Sequence, residues 1–218
     1  MTQIPIQNHN HDQLNNYCQL DYNQKGKLVE RIGKELLQFH AFGTVEITSK
    51  ALQKVEGDTV INIEIPRITK KQITADYKSG GCSKGYNDLC IDIEYFTKKD
   101  IPKIVNGTNL GWLYTTVSDL LIVVVPKTKK LFSISWNGKI QRQLIRSYSL
   151  YTDRIKPLPS WVTLDLIKID KYKNTKVLRI DLDKLAEQFP NLVIEYDLVR
   201  IDTYEEELEA YFQELEEL

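Results

Sequence analysis

Residues 73–96, ITADYKSGGCSKGYNDLCIDIEYF, hold four carboxylates, Asp76, Asp88, Asp92 and Glu94, around a glycine-hinged turn. In an extended strand residues two apart share a face. Asp92 and Glu94 therefore project together with Cys90 and Asp88, while Ile91, Ile93 and Tyr95 project the other way, into a core. Two neighbouring carboxylates repel unless a proton or a cation lies between them. Oxygen-only donors favour Mg²⁺ or Mn²⁺ over zinc. Asp76 ends the preceding extended stretch, and Gly80, Gly81 and Gly85 let the chain reverse and bring it beside that pair. A divalent ion held there would polarise a phosphodiester oxygen and lower the pKa of a bound water. The plainer reading of the same residues is the solvated face of an edge hairpin, with Lys98 and Lys99 as loose ion partners. Asp76 would then be a turn-initiating residue.

A phosphate substrate needs cations around such a centre. Between Arg67 and Lys103 eight Lys and Arg stand against five Asp and Glu. Arg67, Lys70, Lys71, Lys78 and Lys84 precede the acidic strand, and Lys98, Lys99 and Lys103 follow it, a basic collar about an acidic middle. Lys139, Arg142 and Arg146 in GKIQRQLIR add further phosphate contacts on one side of an expected helix. No base-reading element is evident. Other chemistries lack their parts. Three histidines, His9, His11 and His40, are too few and too N-terminal for a zinc hydrolase. The literal HNH at 9–11 lacks the ββα unit over which such residues are dispersed in nucleases. The motifs GxSxG, GxxxxGK[ST] and strand-to-helix GxGxxG are absent.

The elements that must position these groups follow from periodicity. Residues 1–24, rich in Asn and Gln, read as a loose polar arm. Leu28, Ile32, Leu36 and Phe39 make a helical stripe over 25–39. Segments 45–47, 59–65, 70–77 and 89–96 read as strands, the last two as a hairpin. LLIVVV at 120–125 is apolar on both faces, as a central strand must be. A strand over 130–136 and the helix carrying Arg142 and Arg146 complete a first unit, 25–156. Residues 157–218 read as an α+β extension of three strands, a short helix and an acidic amphipathic helix. Thr203 and Glu206 form a capping box for that last helix. The fold class is α/β, a mixed sheet flanked by helices.

ADYKSGG followed by DLCIDIEYF resembles the PD-(D/E)XK superfamily, the restriction-endonuclease-like nucleases, whose pattern is an Asp and then a (D/E)-x-K strand on an α/β core. KGKLVERIGKELLQFHAFGTVEI resembles the opening helix of archaeal Holliday-junction resolvases, with Gly26, Glu30 and the Phe42 region in similar places. GWLYTTVSDLLIVVVPKTKKLFSI resembles a stretch of phage-like members. The likeness covers about residues 25–150. It implies a Mg²⁺-dependent DNA endonuclease, with Mn²⁺ as a substitute. Asp76 and Asp92 would be metal ligands, Glu94 would stand in the lysine position, and Glu30 would complete the shell. Water would displace the 3′-oxygen and leave a 5′-phosphate. Glu94 departs from the pattern, although some restriction enzymes of the superfamily carry glutamate there. That departure keeps open a non-catalytic DNA-binding or assembly protein on the same fold. Asp88 and Glu35 are secondary candidates, and Asp119 reads as the cap before the central strand.

Charge and cysteines set the context. Lys and Arg number 29 against 30 Asp and Glu, but seven glutamates and no Lys or Arg fall in 203–218, so the rest is net basic. A basic body suits double-stranded DNA. Three cysteines without a CxxC pair suit a reducing cytoplasm, and no apolar run is long enough for a membrane span. Cutting both strands of a duplex suggests a homodimer.

Overall fold

The computed structural model describes residues 2–40, 43–46, 57–65, 68–81, 87–96, 110–168 and 174–216. Among these described residues ten strands run in chain order as β1 (Thr2–Ile6), β2 (Gly43–Glu46), β3 (Thr59–Ile65), β4 (Ile68–Ser79), β5 (Asp88–Phe96), β6 (Leu120–Val125), β7 (Lys130–Ser135), β8 (Val162–Lys168), β9 (Asn174–Asp181) and β10 (Val193–Arg200). The helices are α1 (Asn8–Asn15), α2 (Tyr22–Phe39), α3 (Trp112–Thr115), α4 (Gln141–Thr152), α5 (Leu182–Gln188) and α6 (Ile201–Glu216). The fold is mixed α/β. A seven-stranded mixed sheet is ordered β1-β10-β7-β6-β4-β3-β2, and a three-stranded antiparallel sheet is ordered β5-β9-β8.

β6 sits in the middle of the large sheet because every residue from Leu121 to Val125 is fully buried. Its alternation divides the core. Leu121, Val123 and Val125 face one cluster with Leu89, Ile91 and Ile93 of β5, Leu178 and Ile180 of β9 and Leu144 of α4. Ile122 and Val124 face the other, with Leu28, Ile32 and Leu36 of α2 and Ala75 and Tyr77 of β4. α2 starts in a capping box between Asp21 and Gln24. It lies close to the sheet at Gly33, where an added Cβ would run into the Tyr77 ring.

Four expectations are overturned. The first 24 residues are no loose arm: β1 pairs parallel with β10, burying Ile4 and Ile6 completely, and α1 follows. β4 and β5 form no hairpin. β3 and β6 already occupy both edges of β4, so its backbone groups are taken. Gly80 then lets the chain climb onto the sheet face, where a Cβ would meet the Asp88 carbonyl oxygen at 2.8 Å, and Gly81 N–H donates to that oxygen at 2.7 Å. β5 pairs with β9 instead. Residues 157–218 are not an appendage, since β10 lies between β1 and β7 inside the large sheet. Finally, α6 begins at Ile201, so Thr203 does not cap it; its N–H and hydroxyl donate to Asp202.

Candidate active site

Thr59 pairs with Ala75 at the end of the β3–β4 ladder, and Asp58, just before Thr59, stays against β4 next to Asp76. Asp58 N–H donates to Ala75 O at 2.9 Å, and the Asp58 carboxylate accepts the Tyr77 N–H at 3.3 Å. Gly57, at φ +77°, makes the approach possible; a Cβ there would lie 2.6 Å from Ser118 Oγ and 3.0 Å from Ala75 O. Asp76 is only 7% exposed and accepts the Thr116 hydroxyl at 3.0 Å.

Strand phase places Lys78 on the face of Asp76, since Ala75 and Tyr77 point into the α2 side of the core. The Lys78 ammonium lies over the Trp112 ring, 4.6 Å from its centroid, and Trp112 packs in turn on Trp136. Burial raises the Asp58 pKa above the usual aspartate value, and the charge of Asp76 raises it further. Lys78 opposes that shift, and Glu30 reinforces it from α2. Asp58, Asp76, Lys78 and Glu30 thus share one electrostatic neighbourhood. Beside it the Ser118 hydroxyl is fully buried, with no hydrogen-bond partner among the described residues.

The sequence-expected residues separate into two groups. Asp76 and Glu30 belong to this neighbourhood. Asp92 and Glu94 are engaged in the small sheet instead. Asp92 accepts the Tyr95 hydroxyl at 3.0 Å and the Thr175 hydroxyl at 3.4 Å, and Glu94 pairs with Lys176 at 3.1 Å. Burial and then Asp92 push the Tyr95 hydroxyl pKa upward. The expectation that both would join Asp76 fails with the β4–β5 hairpin. Asp88 is buried 3.6 Å from Arg179. Glu35 accepts Gln7 N–H and the Asn10 amide at the start of α1, and burial raises its pKa. Asp119 accepts Thr74 N–H at 3.0 Å and ties the start of β6 to β4, as its place before the central strand suggests.

Of the expected phosphate contacts, Lys78 belongs to the carboxylate neighbourhood, and Arg142 and Arg146 are exposed on α4. Lys70 and Lys71 lie along β4, Lys71 opposite Ile63. Arg67, Lys84, Lys98, Lys99 and Lys103 fall outside the described residues.

Sequence reasoning missed Asp58 altogether and gave Lys78 only a phosphate contact. Asp76-Tyr77-Lys78 is itself an acidic-x-Lys triplet, and Gly57-Asp58 opens the alternating segment TVINIEI. Treating 76–78 as the second half of a motif rather than the first would have found both.

Among the described residues no three His, Cys, Asp or Glu side chains already stand close enough to enclose a metal ion. Mg²⁺ asks for less, being commonly held by one or two carboxylates with water and substrate phosphate completing the shell. Asp58 and Asp76 fit that donor set. No protein-family model, no curated protein and no solved structure matches the chain.

Proposed function

We propose that the protein is a Mg²⁺-dependent DNA endonuclease of restriction-endonuclease-like architecture, with α2, β2–β4 and β6 as its core. One observation carries this reading: Asp58 is held against β4 on both sides of Asp76, by the Ala75 carbonyl and the Tyr77 N–H, within reach of the charges of Asp76 and Lys78. The pattern that the sequence resemblance attached to Asp92-Ile93-Glu94 has a fuller counterpart here, because the lysine is present. The reading of a non-catalytic protein rested on Glu94 in the lysine position and loses that support.

Asp58 and Asp76 would hold Mg²⁺, with Mn²⁺ as a substitute, and Glu30 would add negative charge from α2. When bound, the ion would polarise a phosphate oxygen and ease the ionisation of a water. Lys78 would place a positive charge beside that water and the phosphoryl group, favouring hydroxide over water and offsetting charge in the transition state. The Trp112 ring holds the ammonium over that face by a cation–π contact. Thr116 fixes one Asp76 oxygen through its hydroxyl and leaves the other for the ion. Attack would release the 3′-oxygen and leave a 5′-phosphate, as the resemblance implies. Double-stranded DNA is the proposed substrate. One site per chain makes a homodimer the natural form for cutting both strands.

Supercoiled plasmid incubated with Mg²⁺, Mn²⁺ or EDTA tests the reading. The wild-type protein should nick in either metal and not in EDTA. Asp76→Asn should abolish nicking while Asp92→Ala retains it. Loss of nicking in Asp92→Ala with retention in Asp76→Asn would return the site to β5.

A further inference from the structure

Gln141 opens α4 by donating its side-chain amide to the carbonyls of Leu113 and Thr116, and Thr116 in turn holds Asp76. α4 therefore starts one hydrogen-bonded residue away from Asp76. Over its 12 residues it runs about 18 Å. Along it lie two adjoining concavities that share Lys156. One, of about 450 Å³, is lined by Arg142, Arg146, Ser147 and Leu150 together with Lys156. The other, of about 460 Å³, is lined by Tyr151, Arg154, Ile155 and Pro157 together with Lys156.

Three features set this groove apart from an ordinary solvated face. Its walls carry four cations and no carboxylate. Among the described residues none of the four forms an ion pair. It also exposes apolar surface next to those cations, with Tyr151 41% and Ile155 63% accessible. Finally, Arg154 takes φ +59° where the chain leaves α4, a position usually given to glycine at helix ends. A long cationic side chain there costs conformational strain, and it lines the same concavity as the Tyr151 ring.

A duplex presents phosphates but shields its base faces; a single strand presents both. Cations beside an exposed aromatic ring suit the second. We infer that the groove between α4 and the 153–157 turn binds single-stranded DNA, its phosphates on Arg142, Arg146, Arg154 and Lys156 and a base stacked on Tyr151. This rests on the nuclease reading and narrows it: the substrate is duplex DNA with a single-stranded arm, and the arm lies along α4 while the carboxylates meet the scissile phosphate.

The test uses the full chain in EDTA, so that nothing is cut, with a labelled thymidine single strand about 15 nucleotides long and a blunt duplex of equal length. The single strand should bind more tightly. Tyr151→Ala should weaken single-strand binding about tenfold and leave duplex binding within about twofold, and Tyr151→Phe should restore it. Arg142→Ala with Arg146→Ala should reduce the slope of log affinity against log salt by about 1.4, or 0.7 for each phosphate no longer neutralised. All these side chains are on the surface, and circular dichroism checks that the fold is kept. Unchanged single-strand affinity in Tyr151→Ala overturns the inference. So does a dimer, seen by sedimentation, that the same substitutions dissociate, since a second copy would then cover the groove. Plasmid nicking in Mg²⁺ is read in parallel. Nicking with an indifferent groove sinks only the single-strand site; single-strand binding without nicking sinks only the nuclease.

Discussion

Asp58 is the residue at which stability and the proposed function pull in opposite directions. Burial and the neighbouring Asp76 charge raise its pKa, so the folded protein holds that proton more tightly than the unfolded chain does. The resulting stabilisation is complete below the ordinary aspartate pKa and is lost as pH rises through the raised folded value. At neutral pH the ionised carboxylate therefore weakens the fold. Asp58→Asn should raise the melting temperature at neutral pH, and the gap to wild type should close as pH falls through that window. The same substitution should abolish nicking. A Mg²⁺ ion bound as proposed would relieve the repulsion, so millimolar Mg²⁺ should raise the wild-type melting temperature but not that of Asp58→Asn. Differential scanning fluorimetry across pH, with and without the ion, reads both effects. Lys78 is tested by kinetics. Lys78→Ala should lower kcat about 100-fold or more with little change in melting temperature, because its ammonium sits at the surface of a ring rather than in the core.

At the scale of elements, α2 and β4 meet where glycine is required. Gly33→Ala would press a methyl into the Tyr77 ring, and overpacking of this kind costs about 1–3 kcal/mol. Tyr77 lies between Asp76 and Lys78, and its hydroxyl donates to Thr59 at 3.1 Å. Relief of the clash must therefore tilt the strand that carries both groups. Urea unfolding should show the loss of stability, and nicking should fall with it. What was legible in the sequence at this scale was local. The stripe of Leu28, Ile32 and Leu36 and the unbroken run LLIVVV each specify an element from within themselves, and both elements form. The partner of a strand is not encoded locally. β5 alternates equally well for pairing with β4 or with β9, and the outcome depends on β3 and β6 having already filled the edges of β4. The candidate site followed the same rule. Asp76 and Glu30 were visible as residue types, whereas the proximity of Asp58 depends on a ladder register between segments some 18 residues apart.

At the scale of the whole molecule the two ends of the chain close one edge of the large sheet. β1 supplies its outermost strand and β10 the next, although the polar composition of 1–24 gave no sign of it. Within β1 just Ile4 and Ile6 alternate toward the core, and a two-residue period is too short to stand out from an Asn- and Gln-rich background. Both side chains are nevertheless fully buried, each contributing about 1.5–3 kcal/mol. Gln7, directly after them, donates its N–H to the half-buried Glu35 of α2, so β1 also anchors the helix that carries Glu30. Removing residues 1–6 should thus do more than shorten a tail. It opens a cavity against Leu198 and Tyr196, bares the edge of β10 for pairing with another chain, and loosens α2 above Tyr77. Deletion of 1–6 should lower the urea midpoint sharply and increase aggregation measured by light scattering, and Ile4→Ala alone should cost about 2–5 kcal/mol. A true arm would leave the midpoint unchanged. Because Glu30 and Tyr77 both depend on the seating of α2, Ile4→Ala should also reduce nicking at temperatures where the protein is still folded.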